Sequence, residues 1–208
     1  MLTQGAFEAY SPVSGELDRR LRAIAAEIKS LSAEDVTEDK QEELAERLLA
    51  EQFGPVSVNL DDRAASRVEE HVSPKAGNFS TRTKVRYHIP TDGNIEILKF
   101  HPGSPHTEQL QPRVSLKTQY NSAREWTAEL TYDVGTDMQP QEHNGIASAT
   151  AVKIGELVSE TNAQLATARS ESRATVMEAI SARRDELTRR NDVLANLDVP
   201  LRQPKRRD

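Results

Sequence analysis

The sequence predicts an α+β fold: an N-terminal helix pair, a small, mainly antiparallel β-sheet, and a long C-terminal helix or helical hairpin. Three observations carry that prediction. Residues 15–31 and 37–52 repeat apolar side chains at helical steps. Residues 83–89 and 126–134 alternate apolar and polar with period two. Residues 156–199 contain neither glycine nor proline and are rich in Ala, Glu, Arg, Leu and Ser. The chain accordingly divides into a helical pair (1–54), a β-rich body (55–140), a helical stalk (141–200) and a basic tail (201–208).

Met1 to Val13 reads as an irregular arm in which Phe7 and Tyr10 can fold against the body. Ser14 is a candidate cap for a first helix from Gly15 to Leu31, with Leu17, Leu21, Ile24, Ile28 and Leu31 on one stripe. Thr37 is a candidate cap for a second helix to Gln52. Glu38 and Asp39 sit at its positive end, and Leu44, Leu48 and Leu49 supply its buried side. Phe53-Gly54-Pro55 stops it. The short polar link favours an antiparallel pair.

Val56 to Leu60 alternates as a short strand. Residues 63–72 are ambiguous, and the spacing of Val68 and Val72 tips them toward a short helix. Thr83 to Ile89 is a strand with Val85, Tyr87 and Ile89 on one face. The turn signal Pro90-Thr91-Asp92-Gly93-Asn94 leads to Ile95–Phe100 as its expected hairpin partner. Arg113–Tyr120 reads as a third strand. Trp126, Ala128, Leu130, Tyr132 and Val134 mark a fourth, with Asn121-Ser122 turning between them, and Trp126 and Tyr132 are expected to pack the sheet against a helix. Gly135–Gly145 is a polar linker, with Asn144 as a candidate cap for a helix from Ile146.

In the stalk, Ile154, Leu157, Val158, Thr161 and Leu165, then Val176, Ala179, Ile180, Leu187, Leu194 and Leu197, follow helical steps. Residues 156–199 alone would span roughly 65 Å as one helix. Residues 161–175 are poor in large apolar side chains, so a turn near Ala168–Ser172 would make a hairpin. Single rod and hairpin both remain open. A stripe this long must be buried against the chain's own sheet or against another copy. Asp198-Val199-Pro200 ends the helix.

The composition narrows the function classes. The formal net charge is -6, with 36% hydrophobic, 4% aromatic and 29% charged residues. Mean hydropathy is -0.67. A chain of this balance is not built as a whole for nucleic acid or acidic membranes. No apolar run approaches a membrane span. With no cysteine, disulfides and thiolate metal sites are excluded, which fits a cytoplasmic protein.

His71, His88, His101, His106 and His143 lack the spacing of a helical zinc pair, although His88, His101 and His106 could converge across a closed hairpin. Asp92, Glu96 and Lys99 faintly match a metal-dependent nuclease core, but Glu96 and Lys99 would fall on opposite faces of a strand. No phosphate-binding glycine loop or nucleophile elbow is present, and no local signature pairs a serine with a histidine. No cofactor, metal or catalytic residue is expected. Arg202, Lys205, Arg206 and Arg207 form a basic end that Arg183, Arg184, Arg189 and Arg190 could extend into a phosphate-binding strip, though Asp185, Glu186 and Asp192 interrupt it.

The strings Tyr87-His88-Ile89-Pro90-Thr91-Asp92-Gly93 and Ile97-Leu98-Lys99-Phe100-His101-Pro102 precede Asn162-x-x-Leu165, the pair Arg183-Arg184 and the closing Val199-Pro200-Leu201-Arg202. In this order they resemble N-terminal modules of uncharacterised bacterial proteins, some suspected of a part in phage defence. The resemblance covers residues 83–208 through short, degenerate motifs. It implies a sensor or assembly role and marks Asn162, Leu165, Arg183, Arg184 and Pro200 as interaction or structural positions. In similar proteins the stalk often leads into a separate effector domain, and whether one follows Asp208 is left open.

The expected function is a non-catalytic protein-interaction and assembly module, the regulatory part of a bacterial defence protein, with a protein partner or a second copy as its ligand. The alternatives are a nucleic-acid-binding adaptor using the basic end and a metal-dependent, nuclease-like enzyme around the hairpin.

Overall fold

A computed structural model of the chain describes residues 2–72, 80–103, 113–120 and 126–196. The architecture is α+β, with a helix layer on one face of an antiparallel sheet. The strands are β1 (Leu2–Gly5), β2 (Glu8–Pro12), β3 (Val56–Val58), β4 (Ala64–Val72), β5 (Ser80–Gly93), β6 (Phe100–His101), β7 (Val114–Tyr120) and β8 (Trp126–Gly135). The helices are α1 (Val13–Ser30), α2 (Gln41–Phe53) and α3 (Pro140–Ala195).

The sheet runs β1-β7-β8-β5, and β5 then pairs along its other side with both β3 and β4. β3 lies against residues 91–93 and β4 against residues 80–88, so the two form one interrupted edge. Pro90 explains the interruption. It has no N–H to offer the neighbouring strand. The chain leaves the ladder there, and the Asn59 amide alone donates to the Pro90 carbonyl at 2.9 Å. β2 and β6 form a separate parallel pair.

Alternation divides the sheet into two faces. Ile89, Leu130, Tyr132, Val134, Val114 and Leu116 are buried beneath the helices. One hydrophobic cluster joins them to Ile24 and Ile28 of α1, to Leu44, Leu48, Leu49 and Phe53 of α2, and to Ile154, Leu157, Leu165, Val176, Ile180 and Leu187 of α3. That single cluster draws on the helical pair, the β-rich body and the stalk alike.

The long C-terminal element is one helix of 56 residues, about 84 Å at the helical rise. Its buried positions run from Ala147 to Leu187 in steps of mostly three, four and seven. It therefore lies along the body rather than leaving it, and only the turns beyond Leu187 are exposed throughout. No turn interrupts residues 168–172. The small side chains there occupy the region where α3 lies beside α2, tied by Arg169 to Glu46 at 2.7 Å and by Arg173 to Glu42 and Glu46 at 2.6 and 2.8 Å. The helix also begins earlier than Asn144 suggested. Pro140 opens it, where a missing N–H costs nothing.

Other expectations are corrected too. The arm before Val13 forms β1 and β2, and the turn between them holds Phe7 at φ 54 with its side chain buried. Residues 64–72 are a strand rather than a helix. The Val68–Val72 spacing misleads because positions four apart share a face in both structures. Residues 95–99 form a 3₁₀ turn rather than a strand, so the hairpin partner of β5 is β4. Ile97 and Leu98, adjacent in sequence, are both buried, which alternation cannot achieve. Helix α1 starts at Val13, and neither Ser14 nor Thr37 makes the expected cap hydrogen bond. The Asn121-Ser122 turn lies outside the described residues.

Asn162 ties α3 to the sheet edge. Its carboxamide accepts from the Val56 N–H and donates to the Val56 carbonyl, both at 2.8 Å. Val56 turns those groups away from β5, so the side chain stands in for a missing neighbouring strand. Replacing Asn162 by Ala leaves both groups unpaired and is expected to destabilise the protein by about 2 kcal/mol. Urea denaturation measures this, and a loss below a few tenths of a kcal/mol would refute the role.

Candidate functional site

The face of the sheet turned away from the helices carries the chemistry-bearing side chains. On β5, Lys84, Arg86 and His88 alternate with the helix-facing Val85, Tyr87 and Ile89. The register places partners around each. Arg86 sits opposite Asp133 and forms a bidentate pair at 2.6 and 2.7 Å. Lys84 reaches the diagonal Glu70 at 2.6 Å. Direct and diagonal neighbours are the pairs an antiparallel sheet allows to touch.

The third row has three members. Ser66 on β4 and Glu129 on β8 are both diagonal to His88. Ser66 Oγ lies 2.8 Å from His88 Nε2, and His88 Nδ1 lies 3.0 Å from Glu129 Oε2. The carboxylate only accepts, so Nδ1 carries the proton toward Glu129. Nε2 is then an acceptor for the Ser66 hydroxyl. Ser66 is exposed, whereas His88 and Glu129 are half-buried. Across the next strand pair Lys117 faces Glu129, and both Lys117 and Thr131 are buried on this face. A hollow of about 230 Å³ beside Glu129 is lined by Pro90, Lys117, Gln119 and Thr127.

The helix-facing side holds a second polar cluster. Tyr87 and Tyr132 stack at 5.0 Å between ring centres, and the Arg63 guanidinium lies 5.6 Å above Tyr87. His143 Nδ1 donates to the Gly135 carbonyl at 3.0 Å, which leaves Nε2 to accept from the Tyr87 hydroxyl at 3.0 Å. Tyr132 donates to the Ala147 carbonyl at 2.9 Å. Burial pushes the Tyr132 phenol above its usual range despite the nearby Arg63. These contacts join β5 and β8 to the start of α3, as expected of Tyr132.

The residues singled out in the sequence take structural places. Leu165 is buried in the core. Arg183 donates through Nε and Nη2 to the Leu31 carbonyl at 3.3 and 3.0 Å, satisfying the end of α1. Arg184 pairs with Asp185 at 2.9 Å. Pro200, Arg202, Lys205, Arg206 and Arg207 lie outside the described residues, as does His106, and the side chains of His71, His101 and Trp126 are not described. Asp92 accepts from the Gly93 N–H at 2.7 Å within the turn. Glu96 and Lys99 do not fall on opposite faces. The 3₁₀ turn brings them together as an ion pair. Among the described residues no group of three or more His, Asp or Glu side chains could hold a metal ion, and no helix is long and apolar enough to cross a membrane.

Sequence reading missed the Ser66–His88–Glu129 row. The outward face of His88 and Glu129 follows from alternation alone. Their proximity requires the β5–β8 pairing, and Ser66 joins them only because residues 64–72 form a strand. A comparison with protein-family models, curated proteins and solved structures finds no match to this chain.

The Arg86 guanidinium holds the Asp133 carboxyl below its usual range, and Lys84 and Lys117 add to the effect. A depressed carboxyl stabilises the fold above the ordinary carboxylate range and loses that contribution as pH falls through its lowered value. Asp133→Asn is therefore expected to cost ~1 kcal/mol at neutral pH and much less near pH 2.5. Denaturant titrations at the two pH values check this, and an equal cost at both would contradict it.

Proposed function

We propose that this chain is a protein-interaction and assembly module whose first partner is a second copy of itself. The exposed end of α3 supports this reading. Every position from Thr188 to Asn196 is exposed, and Val193 and Leu194 stand 64% and 41% open. Both charge signs flank them in Arg189, Arg190 and Asp192. A second α3 end laid antiparallel across them buries the apolar pair and sets unlike charges together. The regulatory place in a bacterial defence protein implied by the resemblance over residues 83–208, and the cytoplasmic location read from composition, belong to the same proposal. The nucleic-acid alternative is left to the basic tail, because Arg183 and Arg184 are engaged with Leu31 and Asp185.

Removing α3 whole is not a fair test, since it would strip Ile154, Leu157, Leu165 and Ile180 from the core. The double variant Val193→Glu/Leu194→Glu touches only exposed positions. Light scattering at tens of micromolar should give twice the 23.2 kDa chain mass for the native protein and a single chain mass for the variant. A native protein that stays at the single mass, or a variant that stays paired, would overturn the assembly reading.

A further inference from the structure

Two of the three polar rows on the open sheet face are closed ion pairs, Arg86–Asp133 and Lys84–Glu70. Each is complete with two members. The row at His88 differs because a hydroxyl hangs on the ring nitrogen that the carboxylate leaves free. Hydroxyl, imidazole and carboxylate stand in series at 2.8 and 3.0 Å, each on its own strand of a hydrogen-bonded sheet. Geometry of this kind lets the imidazole take the hydroxyl proton while the carboxylate stabilises the resulting cation.

We propose that Ser66 is an activated nucleophile that accepts an acyl group from an activated carboxylic ester, with His88 as its base and Glu129 as a positioning residue. Ser66 Oγ attacks the carbonyl carbon, and its proton passes to His88 Nε2. The tetrahedral adduct then expels the alcohol, which takes that proton from Nε2, leaving Ser66 acylated. Water, deprotonated by the same nitrogen, attacks the ester carbon, and the Ser66 oxygen takes that proton back from Nε2 as it leaves, releasing the acid and restoring both groups.

The edge position of β4 supplies what the adduct needs. The Pro90 carbonyl faces the β3–β4 side, since it accepts from Asn59. In an antiparallel strand a residue's N–H and C=O point the same way, and alternate residues share that direction. His88 and Arg86 therefore face β4, and their partners Ala64 and Ser66 face back. Ala65 and Arg67 consequently aim their N–H groups at the outer edge, where no described strand pairs. The Arg67 N–H, next along the chain from Ser66, is placed to donate to the developing oxyanion. Because Ser66 is exposed on this edge, short and activated acyl donors are the matching substrate class. The site lies on the sheet, away from the projecting end of α3, so it stands or falls independently of self-assembly.

The test is labelling of the full chain by an alkyl fluorophosphonate, read by intact and peptide mass. The Ser66 oxygen displaces fluoride from phosphorus and its proton goes to His88. One adduct, on Ser66, is expected, at a rate that rises with pH. Ser66→Ala should abolish it with the unfolding midpoint unchanged. His88→Gln should slow it roughly 10²-fold and remove the pH dependence. Glu129→Gln should slow it, and Glu129→Asp should recover part of the rate. No adduct at millimolar probe, an adduct elsewhere, or a Ser66 adduct formed equally fast in His88→Gln would overturn the proposal.

Discussion

Helix α3 carries buried positions from Ala147 to Leu187, and the other layers of the protein meet along that stripe. Its first part covers the sheet, where Tyr132 and His143 join β8 and β5 to the helix start. Its middle holds the β3 edge through Asn162 and the end of β6 through Gln164, which donates to the Pro102 carbonyl. Its later turns lie beside α2 and α1, where Arg183 closes the end of α1 at Leu31. A helix of this length has little stability by itself, and tertiary burial of one stripe is what sustains it. Gly155 shows how close the contact is: a Cβ there would meet the Leu60 side chain at 3.2 Å.

The sheet answers that one-sided burial with two unlike faces. The helix side is mainly aliphatic and aromatic, and the far side is laced with ion pairs and a histidine–carboxylate hydrogen bond at direct and diagonal positions. Such a face needs no covering layer to satisfy its polar groups, as expected of an antiparallel sheet solvated on one side. It also holds imidazole, hydroxyl and carboxylate groups in fixed relation, because hydrogen-bonded strands on either side limit how far each backbone can move. Pro90 shapes this face as well. By ending the ladder opposite Asn59 it splits the edge into β3 and β4, and β4 then runs as a separate arm carrying Ser66.

Much of the fold was legible. The stripes of α1 and α2 and the alternation of β5, β7 and β8 all name the elements that form. Where reading failed, the local signal was shared between two structures. Val68 and Val72 sit four apart, which satisfies a helix and a strand alike. Ile95 and Ile97 look like alternation, but the next residue, Leu98, is buried beside Ile97 in a tight turn. The small residues around Ala168 left a turn open as well as a continuous rod, and they lie within an unbroken helix.

The sequence by itself determined the fold class, the helical character of residues 156–195 and the polar side of each alternating strand. Periodicity is a local property, and hydrophobic burial enforces it wherever an element meets a core. Only the tertiary structure decided that α3 lies along the body, that β5 pairs with β4 and β8, and that Ser66, His88 and Glu129 adjoin. Those outcomes depend on strand order and register, which are set by non-local contacts between residues far apart in the chain. No spacing rule joins position 66 to positions 88 and 129. Two strand pairings do, each held by its own ladder of backbone hydrogen bonds.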